Sequence, residues 1–190
     1  MEISKPVIGV FCGSSHGSDA AYAEAARRFG ALIAERGFDL VFGGGYVGLM
    51  GECARAARSS GARITGVLPE FLRHLEPPAA DEEAVILTPD LQERKRIMLA
   101  KADGFAVLPG GLGTLDEFFE VITSVQLHVF AKPIVVLNTK GFYGPLRGLL
   151  DHLAANAFAN RNVSALYDFA ATPEDAVNLL QRKLKDGSKA

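Results

Sequence analysis

The chain has 190 residues, 48% of them hydrophobic and 22% charged, with a formal net charge of −2. That balance suits a single soluble globular domain with a substantial core, and it gives no overall electrostatic basis for binding nucleic acid or an acidic membrane. Its two cysteines, Cys12 and Cys53, lack metal-ligand spacing and make no disulfide framework.

Residues 1–6 show no signal-peptide pattern, and no apolar run approaches the length of a membrane span, so the cytoplasm is the expected compartment. Residues 7–12 then read as a buried strand, with Cys12 as a core thiol at its end. Gly13-Ser14-Ser15-His16-Gly17 follows and fits the G-x-S-x-G pattern of a nucleophile elbow. It follows the first strand, however, and the later histidines His74, His128 and His152 sit in no triad-like motif. A loop that meets a ligand through backbone N–H and hydroxyl groups, Gly13 and Ser14 among them, is the better reading.

An amphipathic stretch at 20–36 predicts the first helix, and residues 40–42 the second strand. Gly43-Gly44-Gly45-Tyr46-Val47-Gly48 fits G-x-G-x-x-G, but it follows the second strand rather than the first. The next strand, 64–68, runs into Pro69, with Glu70 only beyond the proline. Dinucleotide binding is therefore disfavoured. The pattern reads instead as a tight turn where Gly44 and Gly45 let a ribose approach the backbone. A helix at 48–60 comes before the third strand. The longest expected loop, 74–83, has Pro77-Pro78 within it and is placed to cover a site.

A fourth strand at 85–87 leads to a helix at 91–101. There Arg94-Lys95-Arg96 forms a local basic cluster, with Glu93 before it. Arg96 reads as a solvated partner of Glu93, whereas Arg94 is a planar donor able to reach a ligand or orient an acid. After a strand at 105–108 comes Pro109-Gly110-Gly111-Leu112-Gly113-Thr114-Leu115-Asp116-Glu117. It lacks the Gly-Lys-Ser/Thr ending of an ATP-binding loop. Its glycines, the Thr114 hydroxyl and a helix beginning near Thr114 nonetheless suit a phosphate. Glu117 falls in the first turn of that helix, which runs to about residue 128. An acid beside a phosphate repels its ligand, so Glu117 needs a further reason to be there. Stabilising positive charge on an attached ribose supplies one. A strand at 134–137 follows. Thr172-Pro173-Glu174-Asp175 then signals an N-cap, proline at N1 and an acidic first turn for a last helix over 174–185. Residues 186–190 read as a flexible tail.

Apolar strands alternating with amphipathic helices imply one doubly wound, Rossmann-like α/β domain over 1–190 with a parallel sheet. In such a sheet ligands bind beyond the carboxyl ends of the strands, so the three glycine clusters should share one side.

The motifs together resemble the Lonely Guy family of cytokinin riboside 5′-monophosphate phosphoribohydrolases, whose members often carry a lysine decarboxylase-like label. The residues that match are the P-G-G-x-G-T-x-x-E segment at 109–117, Glu93-Arg94-Lys95 with Met98, Cys12-Gly13-Ser14-Ser15, Gly43-Gly44-Gly45 with Gly48-Leu49-Met50-Gly51, and Gly66-Val67-Leu68-Pro69. The match spans roughly residues 7–158. It implies hydrolysis of a purine riboside 5′-monophosphate, AMP or its N6-prenylated form, to free base and ribose 5-phosphate. It also implies a homodimer with no metal and no redox cofactor. By that resemblance Arg94 and Glu117 are catalytic. Lys95, Met98 and the segment Gly110, Gly111, Leu112, Gly113, Thr114, Leu115 and Asp116 bind substrate, and Glu76 is a substrate-binding acid. The chain departs from the family at Asp90-Leu91-Gln92, at Thr123-Ser124 and at Gln126-Leu127-His128, and has no tryptophan. A non-catalytic module that binds a nucleotide or similar phosphate ligand is the rival reading.

Overall fold

Apolar runs too short for helices pair side by side, and the amphipathic stretches between them cover the result. The computed structural model describes residues 5–77, 85–160 and 162–187. Its strands are β1 (Val7–Phe11), β2 (Asp39–Phe42), β3 (Ile64–Pro69), β4 (Val85–Thr88), β5 (Gly104–Val107), β6 (Ile134–Leu137) and β7 (Asp168–Ala170). Its helices are α1 (Ala20–Glu35), α2 (Gly48–Ser59), α3 (Leu91–Lys101), α4 (Leu112–Gln126), α5 (Gly144–Ala155) and α6 (Pro173–Gly187).

The strands form one sheet in the order β4-β3-β2-β1-β5-β6-β7, and every pairing is parallel. This is the doubly wound sheet expected from the sequence. The chain runs outward from β1 to β4, then returns to place β5 beside β1. The crevice between β1 and β5 is thus the topological switch point, where open α/β sheets hold ligands.

Each sheet face carries its own core. One contains Phe29 and Ile33 of α1, Cys53 of α2 and Leu180 of α6. The other contains Met98 of α3, Phe118 and Val121 of α4 and Leu150 of α5. Gly30 lets α1 approach α2 closely, since a Cβ there would strike the Cys53 backbone carbonyl. Two helices are closed by aspartate caps. Asp19 accepts from the Ala21 N–H at the start of α1, and Asp90 accepts from the Glu93 N–H at 2.8 Å in α3. Thr172 caps α6 by accepting from Asp175 N–H at 3.1 Å, as its sequence predicts.

Several expected boundaries are corrected. β1 stops at Phe11, leaving Cys12 just beyond it. α4 begins at Leu112, not near Thr114, because Gly111 supplies the N-cap. Glu117 therefore sits in the second turn. β4 is an edge strand with Leu87 half exposed, rather than covered on both faces. Strand β7 and helix α5 are additions to the expected elements. α6 continues to Gly187, so Asp186 and Gly187 are helical. Residues 188–190 of the expected tail, and 78–83 of the expected long loop, lie outside the described residues. Among the described residues no helix is long and apolar enough to cross a membrane.

Candidate active site

The three glycine loops meet. The Gly13 N–H donates to Pro109 O at 3.0 Å, and the Met50 N–H donates to Gly13 O at 3.2 Å. Gly48, at φ +53°, brings the start of α2 so close to Ser14 and Ser15 that a Cβ there would overlap their backbone. The clusters thus share one side of the sheet, as expected.

They frame a cavity of about 220 Å³ at the β1/β5 crevice. Cys12 and Met50, both buried, form its inner wall, with Gly13 and Ser14 beside them. Leu91 and the 86% exposed Leu112 stand at its mouth. Cys12, Met50 and Leu91 were not anticipated here. The sequence reads Cys12 as a core thiol, and it is buried and free, with its pKa pushed well up by burial. Met50 was legible only as a motif residue next to Gly48.

α4 opens onto this cavity without a capping side chain, because its N-cap is Gly111. The first intrahelical bond in this stretch runs from Leu115 N–H to Gly111 O at 3.0 Å. The N–H groups of Leu112, Gly113 and Thr114 precede it and are available to an anion. Gly111, Gly113 and Thr114 all line the cavity. Gly110 has a different task. A Cβ on it would overlap the Thr114 side chain and lie 2.9 Å from Gly13 N, so its bareness lets α4 and the first loop close together.

The opposite wall is charged. Arg94 of α3 and Glu117 of α4 are both buried, with Arg94 Nη2 3.7 Å from Glu117 Oε1. Burial drives the Glu117 carboxyl up to about 7; Arg94 opposes that rise, and Asp116 and Glu76 add to it. Arg94 Nε and Glu76 Oε2 are buried with no hydrogen-bond partner among the described residues. Such orphaned atoms cost roughly 1–3 kcal/mol each in a closed protein. Both residues line the cavity, and their unpaired atoms lie behind its surface.

Some expected substrate contacts are placed otherwise. Lys95 lines the cavity, but its ammonium lies 2.9 Å from Asp116 Oδ2 and 2.8 Å from Glu120 Oε2. It braces α3 against α4 rather than offering a free cation to phosphate. Met98 is fully buried in the core with Phe11 and Val67 and does not line the cavity. Leu115 packs against that same core. Gly44, at φ +84°, packs on Val67 and Leu68, and Gly45 packs on Glu76 and Met50, so neither lines the cavity wall. Arg96 pairs with Glu93 on the surface, as read from sequence. His16 is held 3.3 Å from Glu52, and His128 is exposed just past α4. Among the described residues no cluster of three or more His, Cys, Asp or Glu is arranged to hold a metal ion.

Comparison with known proteins gives the chain's family and fold relatives. The family model described as "possible lysine decarboxylase" matches residues 50–180. The chain is 38% identical over 172 residues to a probable cytokinin riboside 5′-monophosphate phosphoribohydrolase of Oryza sativa subsp. japonica, covering 90% of this chain and 70% of that protein. It is 37% identical over 174 residues to a cytokinin riboside 5′-monophosphate phosphoribohydrolase of Arabidopsis thaliana, covering 92% and 81%. Among solved structures, the molybdenum cofactor binding protein of Rippkaea orientalis superposes with a TM-score of 0.71 at 26% identity, covering 96% of this chain and 99% of that one. The molybdenum cofactor carrier protein of Chlamydomonas reinhardtii, at 23% identity and TM-score 0.71, shares the fold.

Proposed function

The chain belongs to the family of cytokinin riboside 5′-monophosphate phosphoribohydrolases, and on that footing we propose that it hydrolyses the N-glycosidic bond of a purine riboside 5′-monophosphate. The products are the free base and ribose 5-phosphate. The observation that carries this reading is a buried carboxylate, Glu117, set against Arg94 and beside an uncapped helix N-terminus.

In this reading the 5′-phosphate binds the N–H groups of Leu112, Gly113 and Thr114 and the Thr114 hydroxyl. The α4 dipole favours an anion there by roughly 0.3–2 kcal/mol. Anchored this way, the sugar brings its anomeric carbon to Glu117. As the C–N bond breaks, its electron pair leaves with the base and the sugar becomes cationic. The Glu117 carboxylate stabilises that charge and directs a water. The water's hydroxyl joins the anomeric carbon, and its proton ends on the departing base. Arg94 holds the carboxylate in place, and Glu76, on the cavity wall, is the acceptor for a sugar hydroxyl. A homodimer working in the cytoplasm completes the proposal.

A carrier that holds a phosphate ligand without turnover is the second reading, favoured by the likeness to the cofactor binding protein of Rippkaea orientalis. The Arg94–Glu117 pair speaks for hydrolysis, because a carrier gains nothing from a buried acid next to an anion. Lysine decarboxylation would need an amine free to form a Schiff base. The cavity's lysine, Lys95, is engaged by two carboxylates. Chromatographic detection of free base released from AMP tests the proposal against both.

A further inference from the structure

Three consecutive glycines follow β2, and only the middle one has a left-handed backbone that calls for glycine. Gly44 lies at φ +84°, where side chains are disfavoured. Gly43 and Gly45 lie outside that left-handed region, so φ does not explain their bareness.

The space around them supplies it. A Cβ on Gly43 would overlap Arg94 Nη2 and lie 2.9 Å from Arg94 Cζ, with Met50 Sδ 3.2 Å away. A Cβ on Gly45 would lie 2.8 Å from Glu76 Cβ and 3.3 Å from Glu76 Oε2. We infer that Gly43 and Gly45 are positioning residues, two bare seats just after β2 that hold the Arg94 guanidinium beside Glu117 and Glu76 on the cavity wall. The inference rests on the proposed hydrolysis and extends it to residues that touch no substrate.

The two seats differ in what they can tolerate. At Gly43 the obstructed atoms are the far end of a long side chain that can swing away, so the fold survives a methyl group while Arg94 loses its place. At Gly45 the obstructed atom is a Cβ, so the segment carrying Glu76 must itself shift. Gly43→Ala therefore separates positioning from stability.

The test is a double-mutant cycle between Gly43→Ala and Arg94→Ala, with Gly148→Ala as control because nothing lies within 4 Å of a Cβ there. Base release from AMP and thermal melting are measured for each protein, together with a crystal structure of Gly43→Ala. The expected results are a melt within a few degrees of wild type, a fall in kcat of at least 100-fold, and a KM for AMP changed less than threefold. Adding Gly43→Ala to Arg94→Ala should cost less than a further twofold. Turnover within threefold of wild type for Gly43→Ala, or a full additional loss in the Arg94→Ala background, would overturn the inference. If Gly43→Ala does not fold, the double variant decides: recovery of folding supports the seat, and continued failure rejects it. If the wild-type protein itself releases no base, the hydrolase reading fails separately. The crystal structure then judges the seat alone, by whether Arg94 has left Glu117 or still lies beside it.

Discussion

Arg94 Nη2 lies 3.7 Å from Glu117 Oε1 across the gap between α3 and α4, and both side chains are almost withdrawn from solvent. The separation is close enough for strong electrostatic coupling and too long for a hydrogen bond. The pair is thus held ready rather than locked, with Arg94 Nε still without a partner among the described residues.

Removing either member should disable the chemistry without unfolding the protein. Glu117→Ala and Arg94→Ala are each expected to lower kcat about 100- to 1000-fold, the range for loss of one preorganised electrostatic group. Steady-state base release, with circular dichroism as the folding control, checks this. Near-normal turnover in either variant would remove that residue from the mechanism.

The Glu117 carboxyl at about 7 makes activity depend on pH in a definite direction. In the proposed mechanism the ionised form stabilises the cationic sugar, so kcat/KM should rise with pH through a midpoint near 7. Arg94 pulls that midpoint down, so the residual activity of Arg94→Ala should rise at higher pH than that of wild type. A midpoint that stays put or moves down would contradict the assignment.

Stability should depend on pH in the opposite sense. Folded Glu117 keeps its proton up to about 7, while the unfolded chain releases it near 4.5. Between those values the folded state binds more protons, so this group's contribution to stability falls as pH rises. The shift corresponds to a cost of roughly 3 kcal/mol above pH 7. Urea denaturation should show Glu117→Gln gaining stability over wild type at pH 8 and little at pH 5. Equal gains at both pH values would mean that the carboxyl titrates normally.

Lys95 should behave as a brace. Its partners Asp116 and Glu120 are partly exposed and can regain water, so Lys95→Met is expected to cost only about 1–2 kcal/mol of stability. The KM for AMP should change less than threefold, whereas a phosphate-binding lysine would raise it tenfold or more. Denaturation and steady-state kinetics together decide between the two.

Thr114→Val probes the phosphate site. Losing one hydroxyl bond of about 1 kcal/mol should raise the KM for AMP and the inhibition constant of ribose 5-phosphate by the same factor, roughly fivefold. A raised KM with unchanged product inhibition would place the phosphate elsewhere.

The sequence told most where one residue type serves one physical need. The strands and the converging glycine loops were legible because uninterrupted apolar runs and glycine clusters are local signals. Helix α4 was legible too, but its start was not, because Gly111 caps it with no side chain to mark the boundary. β7 has only three residues and draws its stability from β6, not from its own pattern. Met98 and Lys95 belong to a matching motif, yet one faces the core and the other two carboxylates. The motif spacing does not say which way a helix is rotated. The engagement of Lys95 depends on Glu120, one turn beyond Asp116 on α4, and only the packing of α3 on α4 brings them together.

Incubating the purified protein with AMP, isopentenyl-AMP, adenosine and isopentenyladenosine, then separating the products by chromatography, tests the central claim most directly. Free base and ribose 5-phosphate in equal amounts from the monophosphates, with none from the nucleosides, is the predicted result. Recovery of every nucleotide intact, or equal release from nucleosides, would contradict a phosphate-anchored N-glycosidase.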